Sequence, residues 1–239
     1  DGVQYGMGRY PQLGTNLTYT TGTITSITDP ELPSTPNWTG AEVVINKYDW
    51  VLDRYVITNH SGTTITYSNP YGFEDMVPGS NRYYFIQNDI RCLTSTNNWF
   101  HNTSTNRLYI YGDPSSKVVE VATVENCIYN NGYDYIELDD IEFKGSIGRV
   151  INFTNGTNSC NIINCVVKYG GQQGIYLAGI LNVIDLCEVS NCNSAGIHLS
   201  GNGMAYVYSN YIHDIGLIPG QSYIGEITDG IYIGISNIH

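Results

Sequence analysis

Basic side chains are scarce: 10 Lys and Arg stand against 22 Asp and Glu in 239 residues, a formal net charge of −12. Nucleic acid and anionic membrane surfaces repel such a chain, so neither is expected as a partner. No apolar run reaches the length needed to span a bilayer, and no membrane span is expected. The opening Asp1-Gly2 lacks the basic and apolar character of an export signal, which is expected to have been removed or to lie upstream. No long segment carries the apolar spacing of an amphipathic helix.

The six cysteines, at 92, 127, 160, 165, 187 and 192, are too few and too irregular for a dense disulfide scaffold. Cys160-x4-Cys165 and Cys187-x4-Cys192 have neither the spacing nor the histidine partners of a zinc site. They leave the redox compartment open. Six Asn-x-Ser/Thr sequons begin at Asn16, Asn37, Asn59, Asn102, Asn152 and Asn155, a number that an Asn- and Thr-rich chain produces by chance.

What is abundant is Gly (26) and Tyr (21), with many Asn, Thr and Ile, a composition of strands and turns. The fold class read from this is all-β. Residues 1–120 read as an irregular β-domain, with strand candidates at Asn16 to Thr20, Glu42 to Asn46, Thr63 to Tyr67, Tyr83 to Gln87 and Leu108 to Tyr111. Loop chemistry separates them at Thr28-Asp29-Pro30, Pro33-Ser34-Thr35-Pro36 and Asn69-Pro70-Tyr71-Gly72. Trp99 to Tyr111 reads as a hairpin with a four-residue connection at Thr103 to Asn106.

From residue 121 to 239 the texture becomes a repeat. Gly174-Ile175-Tyr176-Leu177, Gly196-Ile197-His198-Leu199 and Gly230-Ile231-Tyr232-Ile233 share Gly-Ile-x-Leu/Ile, and Gly148-Arg149-Val150-Ile151 fits approximately. A second strand recurs upstream: Asp139-Asp140-Ile141, Cys165-Val166-Val167, Cys187-Glu188-Val189 and Asn210-Tyr211-Ile212. Nine residues separate its start from the following glycine three times, and twenty the fourth time, so an eleven-residue insertion has entered there. Repeats of 22 to 26 residues without helical or Leu-rich patterning predict stacked coils of parallel strands, with Ile175, Ile197 and Ile231 in one interior row. Cys165 and Cys187 then share one small buried slot as free thiols.

These units resemble the secreted right-handed parallel β-helix proteins of bacteria, a superfamily of polysaccharide lyases, pectin-acting enzymes and surface proteins. The earlier half resembles a β-domain that accompanies such helices, in Gly8-Arg9-Tyr10-Pro11, Tyr84-Phe85-Ile86-Gln87-Asn88, Asn98-Trp99-Phe100 and Arg107-Leu108-Tyr109-Ile110-Tyr111. The resemblance implies a secreted or cell-surface location and more coils than the four counted. The chain is therefore expected to be part of a larger polypeptide, with a cap or further coils after His239. In β-helix lyases a Lys or Arg removes the proton next to a uronate carboxyl, often with Ca²⁺, and Lys168 with Arg149 fit that pattern by resemblance alone.

Alternation along a coil strand turns the residue between Ile and Leu outward, which stacks Asn152, Tyr176, His198 and Tyr232 into one row. Such a row is a sugar platform, or an ordinary exposed face of a Tyr-rich protein. A second row is expected to stack Glu142, Lys168, Ser190 and His213. The insertion, Leu217 to Ile227, lies between His213-Asp214 and Asp229. Its neighbourhood offers Glu226 with Asp229, or Asp214 with Glu226, as a hydrolase pair, the same carboxylates as oxygen ligands for Ca²⁺, or plain surface carboxylates. The catalytic candidates are thus Lys168, His213 and Glu226. Tyr176, His198, Tyr232 and Arg149 are the sugar-binding candidates, and Asp214 and Asp229 the metal candidates. The functions left open are polysaccharide cleavage by a lyase or hydrolase, polysaccharide binding, and a non-catalytic adhesin or structural stalk; the shortage of Lys and Arg weighs against a lyase for polyuronates.

Overall fold

The computed structural model describes residues 2–48, 51–68, 82–201, 204–222 and 228–235. It divides into two compact units, Asp1–Val119 and Glu120–His239. Apart from one 3-10 turn at Ile90–Cys92, the regular structure among the described residues is all β. No described helix is long and apolar enough to cross a membrane.

The first unit is built on an antiparallel sheet. Its centre runs Tyr83–Gln87, Glu42–Tyr48, Val51–Ser61, Thr64–Tyr67, Ser26–Thr28 in spatial order. The predicted hairpin is present, with Asn98–Asn102 and Arg107–Ile110 paired antiparallel and Asn102 opposite Arg107. The eleven-residue strand Val51–Ser61 escapes the sequence reading because its inward positions mix Tyr55 and Ile57 with the charged Asp53. Asp53 is accommodated by a buried partner: Lys47 Nζ lies 3.5 Å away and donates to the Tyr55 hydroxyl at 2.7 Å. Burial pushes the Lys47 ammonium down from its usual range while Asp53 opposes the shift. Breaking such a pair by removing one partner costs about 3–5 kcal/mol.

The second unit is a parallel solenoid with three strands per complete coil. Face A stacks Ile128–Asn131, Ile151–Thr154, Ile175–Ala178, Ile197–Gly201 and Ile231–Ile235. Face B stacks Glu137–Asp139, Asn161–Ile163, Asn182–Asp185 and Ala205–Tyr208. Face C stacks Glu142–Ser146, Val166–Gly170, Glu188–Ser190 and Tyr211–His213. Inside, equivalent residues form apolar ladders: Ile151, Ile175 and Ile197 from face A, Ile162 and Ile184 from face B, Val167 and Val189 from face C. Each fully buried aliphatic side chain contributes about 1.5–3 kcal/mol. Ile231 continues the Ile175 and Ile197 row, as the repeat predicts, but on the last described rung it is 43% exposed.

The coil turns at four corners, and at each one stacked residues adopt left-handed backbone. The rows are Gly132, Asn155, Gly179 and Gly201; Tyr135, Ser159 and Leu181; Asp140, Asn164, Leu186 and Ser209; and Gly145, Tyr169, Asn191 and Asp214. A bulky residue such as Leu181 in this conformation costs roughly 1–2 kcal/mol, which the rungs above and below must offset.

The first coil departs from the sequence reading. Ile151 pairs with Ile175, so Val150, and not Gly148, stands in the position of Gly174, and the spacing is 24 residues. The nine-residue offset is real, but its first anchors sit two residues too early. Val150 fits without a glycine because the facing residue is Gly170, whose absent Cβ would lie 3.2 Å from Val150 Cγ2. The same shift displaces the second row: Lys144, not Glu142, stacks under Lys168, Ser190 and His213, while Glu142 stacks under Val166 and Glu188. Likewise Ile141, not Asp139, precedes Cys165 in its slot, since Asp139 pairs with Ile163.

Candidate functional site

Two outward surfaces of the solenoid concentrate functional side chains. On face A the alternation of the strands buries Ile175 and Leu177 and turns Tyr176 outward. Register then aligns Tyr129, Asn152, Tyr176, His198 and Tyr232 across five successive rungs, each rung about 4.7–4.9 Å from the next. The rings pack edge to face: Tyr176 and His198 centroids are 4.9 Å apart at 70°, His198 and Tyr232 4.7 Å apart at 88°. Tyr129, 59% exposed, was missed by a repeat counted from Gly148. Its signal is Ile128-Tyr129-Asn130-Asn131, which matches Ile151 to Thr154 one coil on.

Arg149 belongs to this row. Its guanidinium lies over the Tyr176 ring at 3.6 Å from the centroid. Nε donates to Gln173 Oε1 at 2.9 Å and a terminal nitrogen donates to Asn152 Oδ1 at 3.2 Å. Gln173 is fully buried, so the arginine is anchored from inside the coil. Lys168 lies on face C, and the structure does not bring it together with Arg149.

Face C brings Lys168 and His213 together through a residue that the sequence reading did not single out. Lys168 Nζ sits 2.9 Å from Glu188 Oε1, and His213 Nε2 sits 3.4 Å from the same oxygen. His213 Nδ1 is 2.8 Å from Asp214 Oδ2, and the Tyr211 ring stacks on the imidazole at 4.3 Å and 24°. The hydrogen bond from Lys168, then that from His213, holds the Glu188 carboxyl below the usual carboxylate range. The imidazole fills the space between the two carboxylates. A glycosidase pair needs that space for the scissile bond and a water or a covalent intermediate, so Glu188 and Asp214 in this arrangement do not form one. Glu188 was legible in principle, because it shares its rung position with Tyr211.

The insertion leaves the coil at the corner after His213, where Asp214 and Gly216 both have left-handed backbone. Its two ends meet: a Cβ on Gly216 would lie 2.6 Å from Thr228. Glu226 and the Tyr223 to Ile227 part of the insertion lie outside the described residues, as do Asn69 to Gly72. Asp229 precedes the last face A strand, and its carbonyl accepts from the Gly196 N–H at 3.0 Å. Among the described residues no three His, Cys, Asp or Glu side chains are grouped to hold a metal ion. Asp214 is engaged with His213.

Residues 149–237 match the family described as right-handed β-helix region. A search of curated proteins finds no match. Among solved structures, a glycoside hydrolase superposes with a TM-score of 0.65 at 12% identity, over 82% of this chain and 46% of its own. The chain thus spans about half the length of the structure it matches. At that identity the likeness establishes the fold.

Proposed function

We propose that the solenoid binds a polysaccharide laid along its axis on face A. The observation that carries this reading is the in-register row of Tyr129, Asn152, Tyr176, His198 and Tyr232, pinned from one side by Arg149. A polymer meets a ring of the row on four of the five rungs, the fifth being held by Asn152, which is buried and bonded to Arg149, and the strand spacing is comparable to the length of one pyranose unit. Tyrosine supplies apolar ring surface for sugar C–H groups, while phenol and imidazole groups exchange hydrogen bonds with hydroxyls. The likeness to a protein named a glycoside hydrolase supports carbohydrate as the ligand class. An extracellular location, where such polymers are met, is part of the same proposal.

Binding is the part of the reading that the face A row supports. The test is a glycan array followed by titration of Tyr176→Ala and Tyr232→Ala. By analogy with aromatic stacking on bases, each is expected to weaken binding by about 1–3 kcal/mol. Wild-type affinity in both variants, or no binding to any neutral or acidic polysaccharide, would remove the sugar-binding reading and favour a structural stalk.

A further inference from the structure

We propose that face C carries a second saccharide contact, centred on the open face of Tyr211 and the Glu188 carboxylate, and that it takes a neutral, hydroxyl-rich sugar. The inference rests on the polysaccharide reading for its ligand class, but on none of the face A residues.

Tyr211 is 64% exposed, yet one face of its ring is stacked on His213. The other face is therefore presented to solvent by a ring whose orientation is already set. His213 is held in turn by Asp214 and Glu188, and Glu188 by Lys168, so five side chains form one connected network. Preorganisation of this kind removes part of the ordering cost that weakens sugar binding by mobile surface residues. Glu188 is the register partner of Tyr211 on the adjacent rung, which puts a hydrogen-bond acceptor beside the platform. A ring stacked on Tyr211 can thus donate hydroxyl protons to Glu188.

Charge selects the sugar. The ammonium in this network is already committed to Glu188 at 2.9 Å, and the nearby oxygens are carboxylates. A uronate or sulfated sugar would meet repulsion here, reinforced by a net charge of −12. Neutral hydroxyls match the acceptors without that penalty. Tyr135 provides the contrast: it is 81% exposed at the corner that precedes face B of the first coil, three rungs from Tyr211 and off face C.

The test titrates the full chain with soluble arabinoxylan, galactomannan, mixed-linkage β-glucan and polygalacturonate. Tyr211→Ala and Glu188→Gln are each expected to weaken binding of one neutral polymer by about tenfold, the scale of one lost aromatic stack. Tyr211→Phe retains the platform and binding, and Tyr135→Ala changes nothing. The face A double variant, Tyr176→Ala with Tyr232→Ala, should keep residual binding that disappears when Tyr211→Ala is added. Wild-type affinity in folded Tyr211→Ala, with loss in the face A double variant, overturns this site and leaves the face A reading standing. Tighter binding of polygalacturonate than of every neutral polymer, abolished by Tyr211→Ala, overturns the assigned sugar class. No binding to any of the four overturns both.

Discussion

The side chain of Asn210 accepts a hydrogen bond from the Cys187 backbone N–H at 2.8 Å and donates one to the Ile184 carbonyl at 2.9 Å. Asn182 does the same at the preceding corner, accepting from Cys160 N–H at 2.9 Å and donating to the Thr157 carbonyl at 2.8 Å. In both cases an asparagine stands one rung beyond a cysteine in the same slot and satisfies backbone groups at the turn. Replacing Asn182, which is fully buried, with Ala leaves an N–H and a carbonyl without partners. The expected loss is about 1–3 kcal/mol per orphaned group, read by denaturant unfolding. Asn210→Ala, at a less buried corner, is expected to cost less.

All six cysteines are free, and five of them are buried. Burial pushes the thiols of Cys160 and Cys165 up, that of Cys187 to about 11 and those of Cys92 and Cys192 to about 12. In the unfolded chain these thiols ionise near 9.0. The unfolded state therefore binds fewer protons above that pH, and stability falls as pH rises from about 9. Native labelling with a thiol reagent at pH 8 is expected to reach Cys127 first and the remaining thiols only after unfolding. A Cys165 to Cys187 crosslink in peptide maps would contradict this.

Two glycines and one leucine distinguish close approach from backbone conformation. A Cβ on Gly171 would lie 1.9 Å from the Ile147 carbonyl oxygen, and one on Gly179 1.9 Å from that of Thr157. Gly171→Ala should destabilise the coils by more than about 1–3 kcal/mol, the usual cost of overpacking, because the clash is with backbone, and Gly179→Ala adds the strain of its positive φ to the same kind of clash. Leu181→Gly, at a left-handed corner with an exposed side chain, relieves conformational strain while adding chain entropy. Its unfolding free energy should stay within about 1 kcal/mol of wild type, read by denaturant unfolding.

Glu188 links the face C network to pH. Its carboxyl is held low in the folded state by Lys168 and His213, against a reference value of 4.5. That contribution is present above the reference value and is lost as pH falls through the lowered folded value. The pair is largely open to water, so Glu188→Gln should cost less than about 1 kcal/mol at pH 7. The difference between variant and wild type should vanish on acidification below the carboxylate range.

The coiled architecture was readable because its interior tolerates few residue types. Ile175, Ile197 and Ile231 must face the same packed ladder, and glycine must precede Ile175 and Ile197, where a Cβ would strike the next rung. Repetition of that demand wrote Gly-Ile-x-Leu/Ile into the chain, and alternation put Tyr176, His198 and Tyr232 on the outer row. Face B was not readable, because its strands are short and their outward positions run Glu137, Asn161, Val183 and Tyr206 with no common chemistry. Nor were the left-handed positions at Tyr135, Leu181 and Tyr169, since these are not residues that favour that conformation.

Sequence by itself determined the β class, the coil repeat and the aromatic row, since each rests on a local pattern that recurs at the period of the coil. Tertiary structure decided the register of the first coil, where Val150 takes a glycine's place only because Gly170 faces it. It also decided the partnership of Lys168, Glu188 and His213. Their contacts join different rungs, between residues that lie 20 and 25 positions apart in the sequence, and the coil lengths that bring them together vary from turn to turn.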